Sequence, residues 1–436
     1  MNGRSFHVVI AGGGLGGLCL AQGLKKAGVS VAVYERDRTR TDRLQGYRIH
    51  IDPNGSRALY ECLPANLFEA FDSTGGVGTR GFNIISHRLE ELLHIDLTKV
   101  VVADPIARHR SVSRITLRQV LLDGLDDVVH FDKRFQRYEE SRDGRVVAQF
   151  DDGSSTIGDI LVGADGGNSK VRAQFLPHAE RIETGIVGIA GKVPLNEETR
   201  AWLPRPILDG MATVSAPKGR FMFCASMIHG KDGHAAAKIG GADAAEELHP
   251  GLLFDNTSDY IFWAFSAHRR SYPRDADLNE HNGEHLRQIV LGMITEWHPQ
   301  FHRLVRAADL STLAVLPIRT SVPVAAWPTR NVTLLGDAIH SMTPYRGIGA
   351  NVALRDAALL CRNLAAAHRG ETTILEAIHA YESDMIVYGF DAVRTSRKAM
   401  EQSHADSRIG SAIAKVVFKT LNAIPPLKRR VFLGSD

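Results

Sequence analysis

Three short segments of this 436-residue chain carry residue types whose spacing could hold a phosphorylated nucleotide. The first is the loop Gly12, Gly13, Gly14, Leu15, Gly16, Gly17, directly after the β-branched run FHVVIA at 6–11. Helical spacing of Leu18, Ala21 and Leu24 follows as far as Ala27 and Gly28, and 29–34 then reads as a second strand ending at Glu35. Gly12 permits a tight turn, Gly14 lets a pyrophosphate approach the backbone, and Gly17 allows the helix to pack close to the sheet. Leu15 lies inside this loop and belongs with the candidate binding residues. The N-terminus of the helix, read as Leu18 to Ala27, supplies free N–H groups and a partial positive charge to the phosphates. Glu35, 21 residues after Gly14, stands where a carboxylate hydrogen-bonds the hydroxyls of an adenosine ribose. A carboxylate would repel a 2′-phosphate, which argues against NADP at this site. The spacing alone does not separate FAD from NAD.

The other two segments make that separation. Residues 160–172 read ILVGADGGNSKVR, a strand ending at Asp165, then a Gly-Gly turn, Ser169 and Arg172. Residues 332–351 read VTLLGDAIHSMTPYRGIGAN, again a strand, then Gly336-Asp337, a turn with Pro344, and Gly347 and Gly349 before a helix. With all three motifs in this order, the chain resembles the class A FAD-dependent aromatic hydroxylases, the para-hydroxybenzoate hydroxylase-like flavoprotein monooxygenases, over about residues 6–365. The resemblance implies an α/β fold: a Rossmann-like FAD-binding domain interleaved with an antiparallel-sheet substrate domain, then a helical C-terminal tail. The expected division is 1–175 for the first FAD-binding part, with a substrate-domain excursion near 70–110. Residues 176–320 form the substrate sheet, 321–368 the second FAD-binding part and 369–436 the helical tail.

The cofactor residues follow by position. The Asp337 carboxylate at a strand end can accept hydrogen bonds from the ribityl hydroxyls of a flavin. The helix from Gly349 to about His368, opening with Ala350 and Asn351, would point its N-terminus at the flavin pyrimidine edge. Reduced flavin is anionic there, and a helix N-terminus stabilises nearby negative charge by roughly 0.3–2 kcal/mol. Gly347 and Gly349 let backbone N–H groups come close. Asp165 either faces the cofactor or caps a neighbouring helix. By resemblance Arg48 and Arg114 contact FAD at the ribityl or pyrophosphate region; Arg36, directly after Glu35, can stack on the adenine. Arg118, one turn beyond Arg114, reads as a solvated surface residue. His340 reads as structural or flavin-adjacent rather than as a general base, and no catalytic side chain is assigned.

Between the last two motifs, strands are expected at 185–193, 219–228 and 259–267. Phe221 with Phe223, and Trp263 with Phe265, recur at period two, which puts each pair on one sheet face; such stripes are more often core than pocket. Pro317 precedes the return to the FAD-binding domain. His281/His285 and His298/His302 have helical spacing, but without an HExxH or a third ligand they read as solvated and no metal is expected. No GxSxG elbow supports a hydrolase.

The whole-chain composition agrees with a globular protein: 44% apolar, 7% aromatic and 23% charged. With 52 basic against 49 acidic residues the net charge is +3, so there is no electrostatic case for a nucleic-acid partner. Four cysteines without a CxxC argue against a disulfide scaffold or a zinc–cysteine site. The start lacks a signal-peptide pattern and no apolar run approaches about 20 residues. The expectation is a soluble, cytoplasmic protein with no integral membrane segment. Residues 370–436 read as helical, a helix packed across the substrate domain or a dimer contact being preferred to a membrane-surface helix.

The resemblance implies an NAD(P)H-dependent FAD monooxygenase that inserts one oxygen atom of O2 into an aromatic or polycyclic small molecule through a flavin C4a-hydroperoxide. By the same resemblance NADPH or NADH is the transient reductant, and the lack of a second GxGxxG disfavours a reductase with two Rossmann halves. Alternatives are a same-fold halogenase, disfavoured by the lack of WxWxIP, a reductase, or a catalytically silent flavin-binding subunit.

Overall fold

The run His7–Ala11 is apolar on both faces, with Val8, Val9 and Ile10 at most 1% exposed, as a central parallel strand requires. It lies in the middle of a five-stranded parallel sheet ordered Val332–Leu334, Ile160–Gly163, His7–Ala11, Ser30–Tyr34, Val129–His130. The computed structural model describes residues 5–40, 42, 48–75, 80–99, 104–228, 258–274, 276, 278, 282–406, 408–424 and 428. The first helix spans Leu15–Lys26, three residues earlier than its sequence start, because Gly16 and Gly17 form its first turn instead of a loop. Helix Gly349–His368 packs along it and along helix Pro53–Cys62.

A second sheet has seven strands, in the order Ala314–Ser321, Arg181–Pro194, Tyr260–His268, Arg220–Met227, Gly210–Ala216, Gly81–Ser86, Glu91–Asp96. Its pairings are antiparallel except Gly210–Ala216 with Gly81–Ser86, which run parallel. The chain thus leaves the first sheet after residue 75 to supply two strands of the second. Pro317 lies in the edge strand, where a missing N–H is tolerated. Helices Gly283–Met293 and Pro299–Arg306 cover one face of this sheet. A two-stranded ribbon, Arg48–Ile51 with Arg110–Ser113, stands apart from both sheets.

Helix Ile374–Ser403 starts at a Thr373/Glu376 capping box and packs on Gly349–His368. Helix Arg408–Ala423 then crosses the edge strand Glu91–Asp96. There His94 N donates to Asn422 Oδ1 at 3.1 Å and Lys428 Nζ donates to His94 O at 2.9 Å. These contacts occupy backbone groups that an open edge would leave for another chain. Arg429, Arg430 and the Pro425-Pro426 pair lie outside the described residues. No described helix is long and apolar enough to cross a membrane.

Candidate functional site

Strand order gathers the motifs. His7–Ala11, Ile160–Gly163 and Val332–Leu334 are parallel neighbours, so Gly12, Asp165 and Asp337 follow the same ends of three adjacent strands. In open α/β sheets ligands bind outside those carboxyl ends.

The glycine loop separates packing glycines from an open one. Gly12 has φ +110°, and a Cβ there would lie 2.4 Å from Ala164 O. A Cβ on Gly17 would meet Gly12 O at 2.2 Å. A Cβ on Gly14 would meet nothing within 4 Å, and Gly14 caps the helix with no side-chain hydrogen bond. Leu15 is buried as the first helical residue. Open space thus lies at a helix N-terminus whose first N–H groups lack helical partners.

Glu35, 7% exposed, accepts from Gly13 N at 2.5 Å through Oε2 and from Asp37 N at 2.9 Å through Oε1. It therefore ties the second strand to the loop. Arg118 corrects its surface assignment: Nε donates to Gly13 O at 3.3 Å and Nη1 to Arg40 O at 2.9 Å. It also stands 3.6 Å from Asp37, with side chains 14% and 13% exposed. Burial pulls its pKa down while Glu35 and Asp37 oppose the shift. Arg114, one turn earlier, is exposed at the helix start. Arg36 is exposed beside a charged cleft of about 520 Å³ that includes Asp132 and Arg134.

Asp165 caps a helix with one oxygen, as one of its two sequence readings allows. Its Oδ2 accepts from Lys170 N at 2.7 Å and Val171 N at 3.3 Å, at the start of helix Lys170–Phe175. Its Oδ1 is buried with no hydrogen-bond partner among the described residues, and burial raises its pKa. Arg172 joins the two aspartate turns, its Nη1 donating to Gly167 O at 3.1 Å and Ala338 O at 2.8 Å. Asp337 is exposed and follows Gly336, whose φ is +63°. Arg181 lies close enough that Asp337 counters the downward pull of burial on its pKa.

Gly347 has φ +63° and open space at its Cβ position, and Gly349 and Ala350 are half-buried at the helix start. The Asn351 side chain is committed elsewhere. Its Oδ1 accepts from Asp52 N at 2.9 Å and its Nδ2 donates to His50 O at 2.8 Å. It holds the ribbon against the helix. Arg48, on the ribbon, donates from Nη2 to Ser111 Oγ at 2.5 Å. Burial pushes its pKa down to about 10, with Tyr260 of the seven-stranded sheet acting against the shift.

That sheet has two unlike faces. Trp263 and Phe265 are fully buried under the helices. The register Phe221↔Ser266, Phe223↔Ala264, Ala225↔Phe262 puts Phe221, Phe223 and Phe262 together on the opposite face, half-buried. Phe223 and Phe262 have ring centroids 6.3 Å apart. The core expectation therefore fits the tryptophan pair, while the phenylalanine pair lies half-buried on the face away from the helices. From the turn after Asp337, Tyr345 reaches this face, its hydroxyl donating to Ser266 Oγ at 3.0 Å.

Sequence reasoning did not single out Phe262, Tyr345 or Asp356. Phe262 carried a signal, since it is the opposite-phase neighbour of Trp263. His281 lies outside the described residues; His298 caps helix Pro299–Arg306, its Nδ1 accepting from Gln300 N at 3.2 Å. No cluster of three or more His, Cys, Asp or Glu among the described residues could hold a metal ion.

A family model described as FAD binding domain matches residues 5–52 and 293–394. The dual O-methyltransferase/FAD-dependent monooxygenase elcB of Phaeosphaeria nodorum is 30% identical over 401 residues, covering 86% of this chain and 42% of that protein. The chain spans less than half the length of the curated relatives of that kind. The FAD-dependent monooxygenase dbaB of Emericella nidulans is 30% identical over 83% of this chain and 87% of its own. Among solved structures, a putative FAD containing monooxygenase from Photorhabdus luminescens superposes with TM-score 0.78 at 33% identity, covering 91% and 98% of the two chains.

Proposed function

The chain belongs to the class A FAD-dependent monooxygenases, and from that premise we propose that it takes hydride from NADH or NADPH and inserts one oxygen atom of O2 into an aromatic or polycyclic small molecule. The observation that carries this reading is the alignment of Gly12, Asp165 and Asp337 beyond three adjacent parallel strands, with open space at Gly14 and Gly347. The unpartnered buried Asp165 Oδ1 and the uncapped helix N-terminus at Gly14 suit a ligand carrying both hydroxyl donors and phosphates.

FAD would be held by Gly12, Gly14, Leu15 and Gly17 at the pyrophosphate, with Glu35 and Arg36 at the adenosine. Arg48, Arg114, Asp165 and Asp337 would serve the ribityl and pyrophosphate region. Gly347, Gly349, Ala350 and the Asn351 backbone would serve the pyrimidine edge. Bound there, FAD supplies the redox chemistry, accepting two electrons and activating O2. The chain's own task is to orient the substrate and keep water away. Phe221, Phe223 and Phe262 offer ring faces for a planar aromatic, a contact worth about 0.5–1.5 kcal/mol per pair beyond burial. The proposed division is FAD-binding at 1–175 and 321–368, substrate-binding at 176–320 with the strands of 81–96, and a helical tail at 369–436.

The test is nicotinamide consumption and O2 uptake by the purified flavoprotein across a panel of phenols and polycyclic aromatics. A product heavier by one oxygen atom, with consumption stimulated by that compound, supports the reading. Nicotinamide consumption with no oxygenated product identifies a reductase. Bound flavin without turnover identifies a silent binding subunit.

A further inference from the structure

One end of the open aromatic face is closed by three side chains from separate parts of the chain. The Tyr345 hydroxyl lies 3.0 Å from Ser266 Oγ and 3.4 Å from His404 Nε2, and Ser266 Oγ lies 3.1 Å from His404 Nε2. Ser266 belongs to strand Tyr260–His268 and stands opposite Phe221 in register. Tyr345 sits in the short turn Pro344–Arg346, two residues before Gly347 and its open space. His404 caps the C-terminus of helix Ile374–Ser403. The Phe221 ring centroid is 5.5 Å from that of Tyr345 and 6.0 Å from that of His404. A Cβ on Gly219, in the hairpin turn before Phe221, would fall 2.7 Å from His404 O, so the helix end packs tightly on this end of the sheet.

Counting protons fixes what this end can offer a ligand. His404 Nδ1 is 3.0 Å from Met400 O, and a carbonyl only accepts, so Nδ1 carries the ring proton and Nε2 is left as an acceptor. The ring is neutral: burial takes its pKa down to about 4, with His268 adding to the shift and the Met400 and Ser266 backbone opposing it. Burial also raises the Tyr345 pKa, against the Ser266 hydrogen bond, so that hydroxyl keeps its proton.

The triangle therefore holds three heavy atoms and two protons. Tyr345 donates to Ser266 and Ser266 donates to His404; the reverse order, Ser266 to Tyr345 to His404, consumes the same two protons. In either order Tyr345 has no proton left for a ligand, and its oxygen keeps a lone pair that only accepts. Ser266 and His404 are 5% and 2% exposed, so the triangle is closed off from bulk water.

We propose that Tyr345 selects substrates by hydrogen-bond polarity, favouring a planar aromatic whose edge at this end carries an O–H or N–H donor and disfavouring one that carries a carbonyl or carboxylate there. This rests on the aromatic-oxygenation reading above and adds to it the class of substituent. The donor keeps its proton throughout. A carbonyl would set its lone pairs against that of Tyr345, leaving two acceptors unpaired, and a carboxylate would add an uncompensated charge. His404 is a positioning residue: it takes the last proton of the triangle and so fixes the polarity of Tyr345.

The experiment uses the oxidised, FAD-loaded protein with 2-naphthol and 2-naphthaldehyde as probes, one ring system with a donor or an acceptor at its edge. Affinities are read from the perturbation of flavin absorbance. The wild type should bind 2-naphthol on the order of 10-fold more tightly, as expected when one ligand makes a hydrogen bond and the other leaves the same group unpaired. Tyr345→Phe keeps the ring and should bring the two affinities together. In His404→Leu the final acceptor is gone, so the order Ser266 to Tyr345 leaves the Tyr345 proton free, and the preference should swing toward 2-naphthaldehyde. Lost packing alone would weaken both probes alike. Equal affinities in the wild type, or an unchanged preference in Tyr345→Phe, overturn the proposal; if His404→Leu does not fold, the Tyr345→Phe comparison decides. Protein that holds no FAD, or binds neither probe, overturns the underlying reading and the selection with it.

Discussion

His340 Nε2 lies 2.7 Å from Asp356 Oδ2, with side chains 1% and 0% exposed. The same carboxylate accepts from Gly336 N at 2.8 Å and from the Tyr388 hydroxyl at 2.6 Å. One side chain of helix Gly349–His368 therefore anchors the turn that carries Asp337 and joins it to helix Ile374–Ser403. A Cβ on Gly389 would fall 2.7 Å from the His340 ring, so the packing around this pair leaves little slack.

Burial is the largest single effect and opposes a charged His340, but the Asp356 carboxylate, Asp337 and a backbone hydrogen bond together outweigh it and the pKa is raised. A raised histidine pKa gives stability that is fully present below the unfolded value of about 6.5 and is lost as pH rises through the folded value. Denaturant unfolding of the wild type and His340→Gln should differ most at acid pH and converge at alkaline pH. A difference independent of pH would mean the pair is held neutral. Asp356→Asn, which removes the shared acceptor charge, should cost about 3–5 kcal/mol.

Asp337 makes no such structural commitment. It is exposed, so Asp337→Ala should leave the unfolding midpoint nearly unchanged. Its loss should weaken FAD binding on the order of 10–100-fold, the worth of about 1.5–3 kcal/mol for hydrogen bonds to a charged group. Flavin retained through gel filtration measures this directly. Stoichiometric flavin with wild-type affinity would remove Asp337 from the cofactor site.

Gly12→Ala and Gly14→Ala should fail in different ways. At Gly12 the added methyl collides with Ala164 O in a backbone conformation with φ +110°, so folding itself should suffer. At Gly14 the methyl enters open space, and the apoprotein should unfold like the wild type while binding FAD poorly. Thermal unfolding and flavin content, measured on both variants, separate a packing glycine from a ligand-facing one.

How far these features were legible depended on the range of the forces behind them. The glycine loop, the two aspartate turns and helix Gly349–His368 are local patterns, and the helix has the bounds read from its sequence. The first helix began earlier than read because glycines in a helical first turn look like a loop. Arg118 was misplaced because only the fold brings Gly13 and Asp37 to it. The Asn351 side chain was unreadable for the same reason, since its partners Asp52 and His50 lie about 300 residues away. Strands Gly81–Ser86 and Glu91–Asp96 join a sheet whose next strand, Gly210–Ala216, comes far later in the chain.

Period two paired Phe221 with Phe223 and Trp263 with Phe265, but it could not say which face the helices cover. The structure turns that ambiguity into a test. Trp263 is fully buried under helices Gly283–Met293 and Pro299–Arg306, so Trp263→Ala should cost about 3–5 kcal/mol and lower the yield of folded protein. Phe223 is half-buried on the opposite face against Phe262, so Phe223→Ala should fold and retain FAD. Its effect should fall on the substrate, with KM for a planar aromatic rising about 3–10-fold for one lost ring contact. Nicotinamide oxidation uncoupled from product should rise too, because a gap in the aromatic wall admits water. Unchanged KM and coupling in Phe223→Ala would move the substrate off this face. Unchanged stability in Trp263→Ala would reverse the assignment of the two faces.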